Sequence, residues 1–81
     1  MEKSPAVAYY ARKIKTTNRL EIINELDEAP ITRQDRYFMY DVLNGLTYKE
    51  LAYKYNKTVS GVAQWKRRLF ETMHRYDLRK V

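Results

Sequence analysis

The stretch GLTYKELAYKYNKTVSGV, residues 45–62, decides the fold that this sequence predicts. Thr47 and Glu50 have the spacing of a capping box, in which each side chain accepts a hydrogen bond from the backbone N–H of the other residue. A helix over residues 48–55 therefore begins directly after Thr47. Its inner side is expected to bury Tyr48, Leu51, Ala52 and Tyr55.

A second helix follows within a few residues. Asn56 tolerates the left-handed backbone that a tight turn requires, and Thr58 caps a helix that the apolar spacing continues to about residue 76. Val62 fills the angle between the two helices, where the small Ala52 allows a close crossing. Two helices joined by so short a turn form a helix-turn-helix unit. The buried stripe of the second helix is expected to consist of Val62, Trp65, Leu69, Met73 and Tyr76.

The first thirty residues also have helical spacing. Ser4-Pro5 starts a first helix, and Thr16 or Thr17 caps a second, unless the two helices form one continuous rod. Ala29-Pro30 ends this part, because the residue before a proline is pushed out of helical geometry. The two apolar stripes are Val7, Tyr10, Ala11 and Ile14, then Leu20, Ile22, Ile23 and Leu26.

A further helix lies between this part and the helix-turn-helix. Thr32 opens it, with Asp35 near its positive end, and Asn44-Gly45 stops it because both residues tolerate a left-handed backbone. Its core side is expected to consist of Phe38, Met39, Val42 and Leu43.

These elements predict an all-α fold, a small helical bundle with a C-terminal helix-turn-helix and a long recognition helix. Eighty-one residues make a single domain, with N-terminal helices in 1–30 and the helix-turn-helix part in 31–81. Without cysteine or a run of about twenty apolar residues, we expect a cytoplasmic protein with no membrane segment. One histidine, no Walker-type loop and no zinc-ligand spacing predict no metal, no cofactor and no enzymatic activity.

The net charge of +6 comes from the second half of the chain. Residues 1–45 hold seven basic and seven acidic residues, whereas residues 46–81 hold nine basic and three acidic ones. Such an asymmetry is typical of a polyanion partner, although a basic surface without a partner explains the charge alone equally well. A second basic cluster, for which contact with flanking phosphates and plain solvation are equal alternatives, consists of Arg12, Lys13, Lys15 and Arg19.

The open face of the last helix carries the residues expected to read bases. With Val62 at the centre of the buried face and 100° per residue, Ser60, Gln64 and Arg67 point outward. The N-terminal part of such a helix enters the major groove, where glutamine pairs with adenine and arginine with guanine. The predicted base-reading residues are Ser60, Ala63, Gln64 and Arg67. Phosphate contacts are expected from Tyr48, Lys49, Tyr53, Lys57, Gly61 and Arg68.

Several of these residues have a plainer alternative. Gly61 either allows close approach to the DNA backbone or only marks a weak first helical turn. The run Lys66-Arg67-Arg68 either faces DNA or is a solvated helix face. Trp65 is expected in the core, and most of the tyrosines in helix packing, because no sheet is predicted that would display them for base stacking.

Three stretches resemble region four of the bacterial sigma factors and the small regulators that share its helix-turn-helix. They are DRYFM at 35–39, GLTYKELA at 45–52 and TVSGV at 58–62. The resemblance covers roughly residues 33–75 and implies a DNA-binding transcription regulator, of a size common in phages and other mobile elements. The chain lacks the other sigma regions, so it is not expected to recognise a whole promoter or to melt DNA. Trp65 and Lys66 depart from the family pattern, in which position 66 is more often apolar.

The sequence therefore predicts a sequence-specific transcription regulator that binds double-stranded DNA through the helix at 58–76. One recognition helix covers too few base pairs for selectivity in a genome. We therefore expect either a homodimer through the N-terminal helices or help from a partner such as RNA polymerase. One alternative is a protein-binding module that acts on RNA polymerase or another transcription factor, and a weaker one is RNA binding through the basic helix.

Overall fold

The computed structural model describes residues 5–80, and five α-helices joined by short connections form this part of the chain. They are α1 (Pro5–Thr16), α2 (Arg19–Glu28), α3 (Arg33–Leu43), α4 (Tyr48–Lys54) and α5 (Val59–Lys80). No strand occurs among these residues, so the predicted all-α fold is confirmed. The cap predicted at Ser4 lies outside the described residues. None of the five helices has both the length and the apolar composition needed to cross a bilayer.

Helices α3 and α4 both begin with a capping box. The Thr47 hydroxyl accepts a hydrogen bond from the backbone N–H of Glu50 at 3.2 Å, and the Glu50 carboxylate accepts one from the N–H of Thr47 at 2.9 Å. The same exchange joins Thr32 and Asp35 at the start of α3. Both predicted helix starts are thus confirmed, while α4 ends one residue earlier than predicted, with Tyr55 as its C-cap.

The boundary between α1 and α2 lies at Asn18, whose side chain accepts a hydrogen bond from a backbone N–H in the first turn of α2 at 2.8 Å. Thr16 donates its hydroxyl to the carbonyl of Arg12 at 3.0 Å, and the N–H of Thr17 still bonds to a carbonyl of α1. The prediction of Thr16 or Thr17 as the cap is wrong, because the hydrogen bonding of α1 continues through both residues. The two helices are separate and do not form one rod.

One hydrophobic core receives side chains from all five helices. The fully buried side chains at its centre are Tyr10, Ile22, Leu26, Phe38, Met39, Leu51, Val62, Phe70 and Met73. Two residues predicted to lie inside are at the surface, since Leu20 is 69% exposed and Tyr48 is 40% exposed. Leu20 comes two residues before Ile22 and lies about 200° away around the helix, so the two cannot share a buried face.

Helix α1 packs along α5 and covers its inner side. Tyr10 meets Phe70 edge to face, with ring centroids 5.2 Å apart, and Ile22 and Leu26 of α2 are buried in the same core. The N-terminal stripes therefore contribute to the core of this chain, in which Tyr10, Ile22 and Leu26 are fully buried. Helix α5 continues to Lys80, about one turn beyond its predicted end.

A mostly buried ion-pair triad joins α1, α2 and α5. The Lys13 ammonium lies 2.8 Å from a carboxylate oxygen of Glu25 and also bonds to Asp77, whose side chain is only 7% exposed. Burial lowers the pKa of Lys13, but the hydrogen bonds to Asp77 and Glu25 outweigh this effect and raise the pKa above its ordinary value. Lys13 is therefore a structural residue, and its prediction as part of a surface cluster is wrong. The exposed members of that cluster are Arg12, Lys15 and Arg19.

Replacing Lys13 with methionine should destabilise the chain by about 3 kcal/mol at neutral pH, because the buried Asp77 carboxylate would lose its cation and Glu25 would lose its bond to the same ammonium. Urea unfolding followed by circular dichroism measures the change. Lys15→Met is the matched control, since this neighbouring lysine is exposed, and its stability should stay within about 0.5 kcal/mol of the parent chain. Equal stability of the two variants would show that the triad contributes nothing.

Candidate nucleic-acid interface

The turn between α4 and α5 has the backbone that the sequence predicted. Asn56 has a φ of +54°, in the left-handed region that asparagine tolerates better than most residues. The N–H of Lys57 then bonds back to the carbonyl of Ala52 at 2.8 Å. Ala52 of α4 is buried, and Val62 of α5 is fully buried in the same core. The short, closed connection of a helix-turn-helix is thus present.

The first turn of α5 is closed by Thr58, whose hydroxyl accepts a hydrogen bond from the N–H of Gly61 at 2.9 Å. A Cβ atom at position 61 would lie 3.2 Å from that hydroxyl oxygen. This contact is tighter than ordinary van der Waals packing, so a side chain there would press on the cap. Glycine at position 61 therefore leaves room for the Thr58 cap, an explanation that the sequence alone did not suggest.

Trp65 locks the inner side of α5. Its ring stacks on Phe38 with centroids 4.1 Å apart, and the Tyr55 ring meets it edge to face at 5.2 Å. Its indole N–H donates to the Asp35 carboxylate at 2.8 Å, and the Lys57 ammonium lies 5.3 Å from the ring centroid. The predicted core position of Trp65 is confirmed. One side chain thereby ties the start of α5 to α3 and to the end of α4.

A second polar contact holds α4 against α3. The buried carboxylate of Asp41 accepts a hydrogen bond from the Tyr55 hydroxyl at 2.6 Å and pairs with the Lys54 ammonium at 2.8 Å. Burial and the hydrogen bond to Asp41 both raise the pKa of the Tyr55 phenol above its ordinary value. No local sequence pattern marks Asp41, because its partners Lys54 and Tyr55 lie 13 and 14 residues further along the chain.

Three of the four predicted base-reading residues lie along the outer face of α5, and Ala63 lies at its edge. Ser60, Gln64 and Arg67 are exposed and Ala63 is half-buried, as the 100° rotation per residue predicted. Trp65 points the other way and is only 5% exposed, so the orientation of this face is fixed by the core. The outer face therefore presents a hydroxyl, an amide and a guanidinium on a helix that cannot rotate freely.

The predicted phosphate-contacting residues lie on α4, in the turn after it and on α5. Tyr48, Lys49, Tyr53, Lys57 and Arg68 are exposed, and Gly61 is half-buried. Tyr53 is 92% exposed, the highest value among the large hydrophobic residues that are exposed. The Tyr48 ring is exposed and not buried as predicted, so it can reach a ligand.

Lys66 bridges α4 and α5 in a way the sequence did not indicate. Its ammonium lies 5.1 Å from the Tyr48 ring centroid and 3.4 Å from the Tyr48 hydroxyl, with the Phe70 ring at 5.3 Å. A cation over aromatic faces is attracted to the rings, while its methylene stem packs against apolar surface. Lys66 therefore packs between α4 and α5 through its contacts with Tyr48 and Phe70.

Acidic residues near this surface are each held by a specific partner. Hydrogen bonds from Thr47, the backbone N–H first, lower the pKa of Glu50, which stays charged within its capping box. Glu71 lies 3.2 Å from the Nε of Arg67. In contrast, Lys49, Lys57 and Arg68 form no ion pair with any residue in 5–80. Three exposed cations without an ion pair thus lie on α4, in the turn and on α5.

A shallow hollow on the outer face brings five of these residues together. It is lined by Gly61, Gln64, Arg67, Arg68 and Glu71. Within residues 5–80, no three His, Asp or Glu side chains are placed to hold a metal ion. The chemistry that this face offers is hydrogen bonding and charge attraction.

No protein-family model, curated protein or solved structure matches this chain. The resemblance to region four of sigma factors therefore stays a prediction that these comparisons do not test.

Tyr55→Phe should cost about 1–2 kcal/mol of unfolding free energy, because it leaves the buried Asp41 carboxylate without one donor. The raised pKa of Tyr55 gives the sign of the pH dependence. The contribution should be complete below the ordinary tyrosine pKa of about 10 and should fall as the pH rises further. Urea unfolding at pH 7 and at alkaline pH measures both effects.

Tyr53→Phe provides the control, because this hydroxyl lies on the same helix at an almost fully exposed position. Its unfolding free energy should equal that of the parent chain within about 0.5 kcal/mol. A cost for Tyr53→Phe as large as for Tyr55→Phe would contradict the assigned role of the contact with Asp41.

Proposed function

We propose that this chain is a sequence-specific regulator that binds double-stranded DNA by placing the first three turns of α5 in the major groove. The observation that carries the proposal is the exposed row of Ser60, Gln64 and Arg67 on a helix whose opposite side is locked by Trp65. Base reading requires such a fixed, exposed row of hydrogen-bonding side chains.

The residue types of the row suit the edges of base pairs. Gln64 can pair with the N6 and N7 positions of adenine, and Arg67 with O6 and N7 of guanine. Ala63 is small enough to meet a thymine methyl group, and Ser60 lets the helix approach closely. The major groove is about 12 Å wide and admits an α-helix with side chains of this size.

The surrounding cations supply the part of the affinity that does not depend on sequence. Lys49, Lys57 and Arg68 would each neutralise a phosphate and release counterions. Three such contacts alone would weaken binding roughly 40-fold between 50 and 200 mM salt, at about 0.9 counterions per contact. Tyr48 and Tyr53 would add hydroxyl contacts to the sugar-phosphate backbone.

Selectivity in a genome would require more than one such helix, so a second copy of the chain or a partner protein is part of the proposal. A homodimer would have to use surfaces other than Tyr10, Ile22 and Leu26, which are buried within the chain. Exposed apolar residues such as Leu20 and Leu78 remain for that purpose. A role in phage or other mobile-element transcription rests on the sigma-like motifs alone.

The second candidate is a protein-binding module that acts on RNA polymerase or another transcription factor. A mainly apolar hollow away from α4 and α5 favours it, lined by Arg19, Ile23, Tyr40, Leu43 and Asn44. The two functions use different surfaces, so they can be separated by substitutions on α5.

The double substitution Gln64→Ala with Arg67→Ala should abolish sequence preference while leaving non-specific binding. Selection of bound duplexes from random DNA first defines the preferred site of the parent chain. The ratio of affinities for this site and a scrambled duplex should then fall about 30-fold or more, since each bidentate pair contributes about 1–3 kcal/mol of discrimination. Fluorescence anisotropy at two salt concentrations measures it.

Asn24→Ala with Arg33→Ala is the matched control, because it also removes one exposed amide and one exposed arginine, neither of which lies on α5. This variant should keep the parent's preference. If the α5 double variant bound the selected site as well as the parent chain does, groove reading by α5 would be wrong. Failure of the parent chain to select any duplex would leave the protein-binding module as the better proposal.

A further inference from the structure

The outer face of α5 carries one carboxylate among its arginines. At 100° per residue, all residues of this face lie within about 60° of Gln64 around the helix. The charged residues of this face are Arg67, Arg68, Glu71, Arg75 and Arg79. The other acidic residue of α5, Asp77, is buried in the triad with Lys13. Within the described residues, Glu71 is thus the only negative charge on this face.

A carboxylate at this place opposes binding to any polyanion. It lowers the positive potential of the face and repels phosphates that approach it. An exposed ion pair one turn apart on a helix also contributes little to stability, because solvent screens it. Neither affinity for phosphate nor helix stability therefore accounts for Glu71.

The geometry of the pair indicates a different use. The Glu71 carboxylate lies 3.2 Å from the Nε of Arg67, and the Arg67 side chain is 60% exposed while that of Glu71 is 36% exposed. The bond to Nε fixes the plane of the guanidinium and leaves its two terminal amino groups for another partner. Those two groups are the donors that a bidentate contact with guanine O6 and N7 requires.

We propose that Glu71 is a positioning residue that orients Arg67 for guanine, at the expense of non-specific affinity for DNA. This inference rests on the proposed function. An arginine that is free to rotate contacts phosphates and bases alike, whereas a guanidinium held by Glu71 favours the one geometry that matches a base edge. The residue thus raises the ratio of specific to non-specific binding by acting on both affinities.

Two substitutions separate the charge of Glu71 from its hydrogen bond. Glu71→Ala removes both, whereas Glu71→Gln removes the charge and keeps an oxygen that can accept from the Arg67 Nε. Both variants should bind scrambled duplex DNA more tightly than the parent chain at low salt, by roughly two- to threefold. Only Glu71→Ala should lose discrimination, by about fivefold or more, at the one base pair that Arg67 reads.

The experiment starts from the duplex selected by the parent chain and from Arg67→Ala, which identifies the base pair at which preference depends on Arg67. Affinities for the selected site and for the site altered at that pair are then measured by fluorescence anisotropy. Glu21→Ala is the control, because it removes an exposed carboxylate on α2, outside α5. Its discrimination should equal that of the parent chain. Circular dichroism melting verifies that each variant is folded.

Loss of discrimination at that base pair in Glu71→Ala, with recovery in Glu71→Gln, would support the positioning role. Unchanged discrimination in Glu71→Ala, or a loss spread evenly over all positions of the site, would overturn it while leaving DNA recognition by α5 intact. If the parent chain selected no duplex at all, the proposed function would fail, and Glu71 would have no base-reading arginine to orient.

Discussion

The packing of Trp65 against α3 and the end of α4 is the constraint on which the helix-turn-helix depends. Phe38 stacks on one face of the indole, Tyr55 meets it edge-on, and Asp35 accepts its N–H. Three directions of contact fix both the position of α5 and its rotation about its own axis. Gln64 precedes Trp65 by one residue and Arg67 follows by two, so fixing the indole also fixes where these side chains point.

Polar contacts between the helices fix how the helices are arranged around a small apolar core. A domain of this size buries a limited apolar surface and relies on other interactions to specify a single arrangement. Lys13 joins three helices, Asp41 joins α3 to α4, and Asp35 joins α3 to α5. Apolar packing alone tolerates sliding and rotation of helices, whereas a hydrogen bond to a carboxylate requires a particular register.

Local patterns in the sequence predicted much of the fold. Contacts between residues that are far apart in the sequence leave no such pattern. The capping box at Thr47 and the left-handed Asn56 depend on a few adjacent residues, so their spacing in the chain is sufficient evidence. The outer face of α5 followed from the fixed rotation per residue. The contact between Asp35 and Trp65 joins residues thirty positions apart, and no local pattern marks either one for the other. The prediction that Leu20 is buried was wrong for a different reason, since an apolar residue in a short helix need not lie on the buried face of that helix.

The composition of the outer face argues for discrimination more than for simple attraction to charge. A surface that binds any polyanion needs only mobile cations, and the chain has these in Lys49 and Lys57 before α5 and in Arg68, Arg75 and Arg79 on the outer face. The first three turns of this face also carry an amide, a hydroxyl and an arginine paired with Glu71, which contribute little long-range attraction. Their hydrogen bonds are directional and need a rigid support, which Trp65 supplies from the other side of the helix. The fixed rotation of α5 about its axis thus places Trp65 in the core and, at the same time, the hydrogen-bonding side chains of Ser60, Gln64 and Arg67 at the surface.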